Sequence, residues 1–280
     1  MRQLRTLTGV LAITAVCSAC QSPIKEDRSS CPATLFFEFL DTQGLRPTDL
    51  MYLEAFPVLG EESRVRDTTT VGAMAGKTYS LQVRRSDVVS IYGAACFGNS
   101  RISGDGEWVV DSGQDGDPLY RFAAKVSGME ESAVVPVEMT KEHSTIHVKF
   151  TEFDLQRNHG RFPYRVSVKA NTCGLDLYTG LPVPGPFRYF PEEGLAGEYV
   201  FTVPRQADHS LCIELQDLVL DKEAPPVDSI VLWNILKQLD GFSWDLPNLP
   251  DLHVEIDYVR SLVSVYISDW QTATYIHYTR

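Results

Sequence analysis

The sequence predicts an all-β protein made of two successive β-sandwiches, with one short helix in the second. Apolar and polar side chains alternate with a period of two through most of the chain after residue 31, as in strands that bury one face. Turns rich in glycine and charged residues separate these segments, and one stretch instead repeats its apolar residues with helical spacing. The hydrophobic fraction of 44% is that of a chain with a real core.

The first sandwich is predicted from six alternating segments. They are separated by turn material at Gly44, residues 60–62, residues 75–77 and the glycine- and aspartate-rich stretch 103–118. Six or seven short strands of this kind form a sandwich. The predicted strands are residues 33–40, 50–57, 78–84, 88–97, 119–126 and 132–139.

The second sandwich is predicted from a further set of alternating segments that begins at His143. We place the boundary near Thr140 and Lys141, so the predicted domains are residues 31–140 and 141–280. The final segment, 261–269, forms a closing hairpin or an adjacent pair with 252–259, and its Val263, Val265 and Ile267 share one face. The other predicted strands are residues 143–150, 163–170, 197–204 and 209–216.

One helix is predicted within the second set. Asp228 or Ser229 can cap its start, apolar residues from Ile230 to Leu239 have helical spacing, and Gly241 ends it. We expect this helix to form a crossover or to cover one end of the sandwich.

The N-terminal residues 1–19 predict a lipoprotein signal peptide that ends at Cys20. Arg2 and Arg5 precede an apolar run of about ten residues, which is too short for a permanent membrane helix of roughly 20 residues. The small residues Ser18 and Ala19 stand directly before Cys20, which would become the acylated first residue of the mature chain. A plain secretory signal is one alternative. Acylation of Cys17 is another, but its preceding Val16 is branched where a small residue is needed.

Residues 20–30 are predicted to be a lipidated tether. They are polar, contain the charged run Lys25 to Arg28, and extend at most roughly 35 Å. Two or three acyl chains hold a protein firmly to a membrane. The net charge is −12 for the whole chain and near −14 once the two arginines of the signal are removed, which argues against a nucleic-acid partner.

Four cysteines remain after the signal and the lipidated Cys20. In an oxidising compartment they can pair in three ways, or remain buried free thiols. The pairing that keeps each bridge within one predicted domain joins Cys31 to Cys96 and Cys173 to Cys212. Their spacing does not suggest a zinc site.

The sequence favours a protein without an enzymatic centre, metal or cofactor. It has no Gly-x-Ser-x-Gly elbow, phosphate-binding glycine loop or His-Glu-x-x-His pair. His143 and His147 lie four residues apart on one strand, so about 13 Å separates them, which is too far to share one ion. The carboxylates from Asp111 to Asp117 suggest calcium, but lack the alternation and closing glutamate of a helix-loop-helix site, so a solvated loop is preferred.

Four tryptophans raise the alternative of a glycan-binding surface. A shallow face that carries Trp108 or Trp244 beside paired carboxylates would favour it. Trp233 is better explained as helix core, and Trp270 as the end of a strand.

The order and spacing of several segments resemble the FimB-type anchor lipoproteins of type V fimbriae in the Bacteroidota. Two departures are Cys17 in the signal and Ala95 to Gly98, where members often have a tryptophan-glycine pair. The Lys25 to Asp27 run also resembles the acidic export signal of surface lipoproteins in that phylum. The segments that carry the resemblance are Cys20, Ser29 to Pro32, Val135 to Phe150, Phe162 to Val168, the helix Val231 to Leu239, and His253 to Trp270.

The resemblance implies two transthyretin-like β-sandwiches and a non-enzymatic role at the base of a surface fimbrium. Such a protein would hold the fibre to the outer membrane through Cys20, help set fibre length, and join a fimbrial stalk subunit by strand addition. The contributing edge is expected at residues 261–270 or 272–278. The alternative of a polymerising stalk or tip subunit predicts a mature N-terminus beyond Arg46 or Arg64.

Overall fold

The computed structural model describes residues 31–41, 44–58, 63–95, 98, 100–153, 159–218, 225–260, 262–267 and 274–277. The signal peptide, Cys20, the tether, Cys96 and Trp270 lie outside this part of the chain. Strands form four sheets, and the two helices of the described residues are each five residues long or shorter. The all-β prediction is confirmed.

The strands follow one another through the whole described chain. Those of the first half are β1 (Pro32–Asp41), β2 (Leu50–Pro57), β3 (Val65–Thr70), β4 (Ser80–Arg84), β5 (Val89–Ala95), β6 (Ser100–Ile102), β7 (Glu107–Val110), β8 (Tyr120–Val126), β9 (Ser132–Glu138) and β10 (Thr140–Lys141). Those of the second half are β11 (His143–Thr151), β12 (Tyr164–Asp176), β13 (Pro182–Tyr189), β14 (Glu198–Pro204), β15 (Cys212–Asp217), β16 (Asp228–Val231), β17 (Leu252–Asp257), β18 (Leu262–Ile267) and β19 (Thr274–His277). The helices are α1 (Val71–Ala75) and α2 (Trp233–Leu236).

The first sandwich consists of sheet I, in the order β4-β1-β9, and sheet II, in the order β10-β8-β5-β2-β3. Strand β1 is the central strand of sheet I, antiparallel to β4 and parallel to β9. Alternate residues of the two sheets, among them Leu35, Leu53 and Ile91, are fully buried in a shared apolar core. The period of two therefore corresponds to strands that bury one face against this core.

The second sandwich consists of sheet III, in the order β16-β15-β12-β7-β6, and sheet IV, in the order β14-β11-β17-β18-β19. Strand β13 also pairs with β12, and β11 runs parallel to β17. A second core joins these sheets through residues such as Phe150, Phe162 and Phe201. Phe150 and Phe162 stack with their ring centroids 4.1 Å apart.

The hairpin β6–β7 belongs to the second sandwich although it comes from the first half of the chain. Val109 on β7 pairs with Gly174 on β12, where an added Cβ would overlap the carbonyl oxygen of Trp108. Glycine is therefore required at residue 174 for the two backbones to approach. The sequence boundary near residues 140–141 remains a prediction, but strand pairing crosses it.

The central strands β5 and β2 of sheet II are buried on both faces because the hairpin and the turn after β12 cover their outer side. All seven residues of β5 are buried, which explains its continuous small and apolar sequence. On the outer side Phe56, Tyr92 and Tyr178 contact one another, with ring centroids 5.6 to 6.3 Å apart. The apolar core of the second sandwich thus extends to sheet II.

A buried carboxylate also links sheet II to the hairpin. Glu54 is fully buried and accepts hydrogen bonds from Arg64 (2.8 Å), Arg66 (3.0 Å) and the Tyr52 hydroxyl (2.7 Å). Burial opposes ionisation, but the hydrogen bonds from Arg66 and Tyr52 hold the pKa of Glu54 below its ordinary value. Arg66 also donates to the carbonyl oxygen of Gly104 in the hairpin turn.

The predicted helix is shorter than its sequence pattern indicated. Residues Asp228–Val231 form strand β16, in which Ile230 pairs with Ile213, and the helix covers only Trp233–Leu236. The expected capping by Asp228 or Ser229 is therefore wrong, because ladder pairing with β15 outweighs the helical spacing. Gly241 has φ +82°, consistent with a turn after the helix.

Candidate interaction edges

The open edges of the sheets are the candidate functional features of this fold. An edge strand exposes unpaired N–H and C=O groups, which an extended segment of another chain can use to add a strand.

Several edges carry features that oppose strand addition. Strand β13 contains Pro182, Pro184 and Pro186, and β9 contains Pro136; proline has no N–H to donate. Strands β6, β10 and β16 are only two to four residues long, and short strands make poor templates.

The edge of β14 is covered by the loop Asp111–Asp117. Thr202 donates its N–H to Asp115 Oδ1 at 2.8 Å, and Gly116 donates its N–H to the Thr202 carbonyl at 3.1 Å. An added Cβ at Gly116 would overlap that carbonyl, so the approach requires glycine. Burial raises the pKa of Asp115 to about 6.

The carboxylates of the same loop are each held by a different partner. Asp117 accepts backbone hydrogen bonds from Gly98 (2.8 Å) and Ser100 (2.9 Å), and Asp111 pairs with Arg101 at 3.0 Å. In the described part of the chain, no group of three or more histidine, cysteine or acidic side chains is arranged to hold a metal ion. The loop thus fastens β14 of sheet IV to β6 of sheet III, across the two sheets of the second sandwich.

The edge of β19 lies at the other side of sheet IV. Thr274–His277 pairs with β18, and no strand among the described residues pairs with its outer side. The strand β18, at the first predicted location within 261–270, is instead flanked by β17 and β19. The open edge on this side of sheet IV is therefore β19, which lies within the second predicted segment, 272–278.

The predicted bond between Cys173 and Cys212 is absent from the structure, which has both as free thiols. Cys212 lies opposite Lys169, so Cys173 is four residues, or about 13 Å, farther along β12. A disulfide requires its two Cα atoms to lie within roughly 7 Å of each other. The register of β12 and β15 places Cys173 and Cys212 too far apart, so the predicted Cys173–Cys212 bond is wrong. Cys31 is exposed, and its pairing with Cys96 remains a prediction.

The two histidines that suggested a metal pair have separate environments. His143 is buried, its Nδ1 lies 3.0 Å from the Leu119 carbonyl oxygen, and burial lowers its pKa to about 4. His147 instead stacks on His253, with ring centroids 4.6 Å apart. This pair was missed because it depends on the pairing of strands 106 residues apart, for which the sequence carries no local signal.

The described tryptophans do not present an open stacking face. Trp108 is fully buried, Trp244 is 6% exposed and packs against Phe242, and Trp233 stacks on His209 with centroids 4.2 Å apart. The sequence-based idea of a platform at Trp108 is therefore wrong.

A cleft of about 460 Å³ lies where the two sandwiches meet. Its polar base is formed by Arg121, Glu142 and Arg205, and Leu181, Pro182 and Pro247 are among its apolar lining residues. Arg205 and Arg121 both contact Glu142, so the base is an internally paired network.

Comparison with solved structures finds the fold of this chain in proteins of Bacteroides and Porphyromonas species. The chain is similar to a candidate polysaccharide-binding protein from Bacteroides thetaiotaomicron, with 11% identity, a TM-score of 0.63, and coverage of 88% of this chain and 98% of that one. A candidate adhesin from Bacteroides ovatus has 13% identity, the same TM-score, and coverage of 88% and 96%.

The fimbrial anchor protein Mfa2 from Porphyromonas gingivalis is a third structure of this fold. It has 10% identity and a TM-score of 0.60, and the alignment covers 88% of this chain and 99% of Mfa2. No protein-family profile and no curated protein sequence matches the chain. Among the described residues, no helix is long and apolar enough to cross a bilayer. The comparisons thus show a fold that this chain shares with bacterial fimbrial and adhesin proteins.

Proposed function

We propose that this protein is a non-enzymatic anchor of a surface fimbrium. Lipid on Cys20 would hold it to the outer membrane, and residues 20–30 would tether the sandwiches to that lipid. The fibre would join through strand addition to the β19 edge and be limited in length by this attachment.

The observation that carries the proposal is the likeness to a fimbrial anchor protein over nearly the whole of both chains. The N-terminal sequence supports it independently, because a signal that ends in Ser18-Ala19-Cys20 supplies the membrane attachment that an anchor needs. No strand in the described part of the chain pairs with the outer side of β19, and this edge would supply a receptor for an extended segment of a stalk subunit.

The test is a Cys20→Ala substitution in the native host, with fimbriae counted on cells and in the medium. We expect fibres to leave the cell surface and accumulate in the supernatant at greater length. Cys17→Ala is the matched control and should keep fibres on cells, since this cysteine is removed with the signal. Normal surface fibres in the Cys20→Ala strain would refute the anchor function.

A polymerising subunit is the second candidate, because of the position of β1. This strand lies between β4 and β9, so removing it would open a slot in the centre of sheet I. Such processing would follow a basic residue in the next connection, such as Arg46, whose side chain is 80% exposed. Sequencing the mature N-terminus distinguishes the candidates: the anchor begins at Cys20, and the polymerising subunit begins beyond Arg46 or Arg64.

A further inference from the structure

His147 on β11 and His253 on β17 form a pair of imidazoles on the outer face of sheet IV. The strands run parallel, and their register places the two residues opposite each other. The rings are stacked, with centroids 4.6 Å apart and planes that differ by 14°. Their neighbours Val148 and Val254 are buried in the core, so strand alternation directs both imidazoles away from it.

The backbone therefore holds two metal-ligating side chains together before any ligand arrives. Imidazole nitrogens suit zinc, copper and nickel ions. Two nitrogens bound to one Zn²⁺ at about 2.0–2.1 Å lie about 3.3 Å apart in a tetrahedral site. Stacked rings hold their in-plane lone pairs nearly parallel, so both rings must turn to direct one nitrogen each at a shared ion, and rotation about the terminal torsion of histidine is soft.

The charged side chains near the pair have partners of their own. Lys149 pairs with Glu198 at 2.9 Å, and Asp251 accepts from Lys141 at 2.6 Å and from the Thr145 N–H at 2.8 Å.

We infer that His147 and His253 together bind one divalent transition-metal ion, such as Zn²⁺ or Cu²⁺, through one ring nitrogen each. Within the described residues, no third histidine, cysteine or acidic side chain completes the set. The remaining coordination positions are therefore open to water or to a ligand from a second molecule. This site is independent of the proposed anchoring function.

The experiment is calorimetric titration of the metal-free, untagged full chain with ZnCl₂ and, separately, with CuCl₂. We expect one ion of each kind per chain. His147→Ala and His253→Ala should each weaken binding at least about tenfold, since losing a ligand exceeds the effect of losing an outer-shell partner. Both side chains are on the solvent side of the sheet, and circular dichroism should show wild-type folding for both variants.

Two matched controls separate this site from other metal-binding groups. His209→Ala removes an imidazole that is stacked on Trp233, and Cys31→Ser removes an exposed thiol. Both variants should bind both ions as the wild type does. The inference is overturned if the wild type binds neither ion, if both pair variants bind normally, or if Cys31→Ser abolishes binding.

Discussion

Arg205 donates a hydrogen bond of 2.6 Å from Nε to Oε2 of Glu142, and their side chains are 10% and 4% exposed. The other carboxylate oxygen accepts from the Thr140 hydroxyl at 2.8 Å and lies 3.4 Å from Arg121 Nε. One buried carboxylate thus faces two guanidinium groups at the junction of the sandwiches. Removing it leaves buried positive charge without compensation.

We therefore predict that Glu142→Gln lowers the free energy of unfolding by about 3–5 kcal/mol. Urea denaturation followed by tryptophan fluorescence measures this loss. The control is Glu198→Gln, which breaks the largely exposed pair with Lys149 and should cost at most about 1 kcal/mol. Equal losses in the two variants would contradict a special role for the buried network.

A second prediction concerns the contact between the β6–β7 hairpin and β12. Gly174→Ala places a methyl group against the Trp108 carbonyl oxygen and should destabilise the protein by about 1–3 kcal/mol, as overpacking does. Gly104→Ala is the matched control, since an added Cβ there meets no atom within 4 Å. Thermal unfolding should show a lower Tm for Gly174→Ala alone. An unchanged Tm would mean that the hairpin does not pack on β12 in this way.

A third prediction follows from the Asp115–Thr202 contact. The pKa of Asp115 is about 6 in the folded protein and about 3.9 in an unfolded chain, so the folded state holds more protons between these values. Its contribution to stability is full below about pH 4 and is lost as pH rises through about 6. Asp115→Asn keeps an oxygen for the Thr202 N–H and cannot ionise.

At pH 7 the free energy of unfolding of this variant should exceed that of the wild type by about 1–2 kcal/mol, after allowance for solvent screening. At pH 4 the two proteins should have the same free energy of unfolding. Urea titrations at pH 4, 5, 6 and 7 provide the comparison. The exposed Asp111→Asn is the control and should leave the pH dependence as it is. A parallel pH dependence of Asp115→Asn and wild type would show that Asp115 titrates as an ordinary aspartate.

Alternation predicted most of the regular strands because each buries one face, as Leu35 and Phe37 do in β1. It missed β13, because Pro182, Pro184 and Pro186 argue against a strand when no partner is known. The helical spacing of apolar residues extended the predicted helix through Ile230, which pairs with β15 instead. The His147–His253 pair and the cover on β14 depend on contacts between distant segments, so local patterns carry no signal for them.

The last prediction tests strand addition at β19. N–H groups of an edge strand point alternately toward the neighbouring strand and outward, so one of Tyr275→Pro and Ile276→Pro removes an outward donor. The variant that loses the outward donor should keep wild-type stability and lose fibre attachment in the native host. The other variant removes a hydrogen bond between β19 and β18. Val200→Pro on the β14 edge is the control. The N–H of Val200 points outward, as that of Thr202 does, and the loop contacts of Thr202 lie beside it. Electron microscopy of cells counts attached fibres. Attachment that survives both β19 variants, or is lost in Val200→Pro, would move the fimbrial contact away from β19.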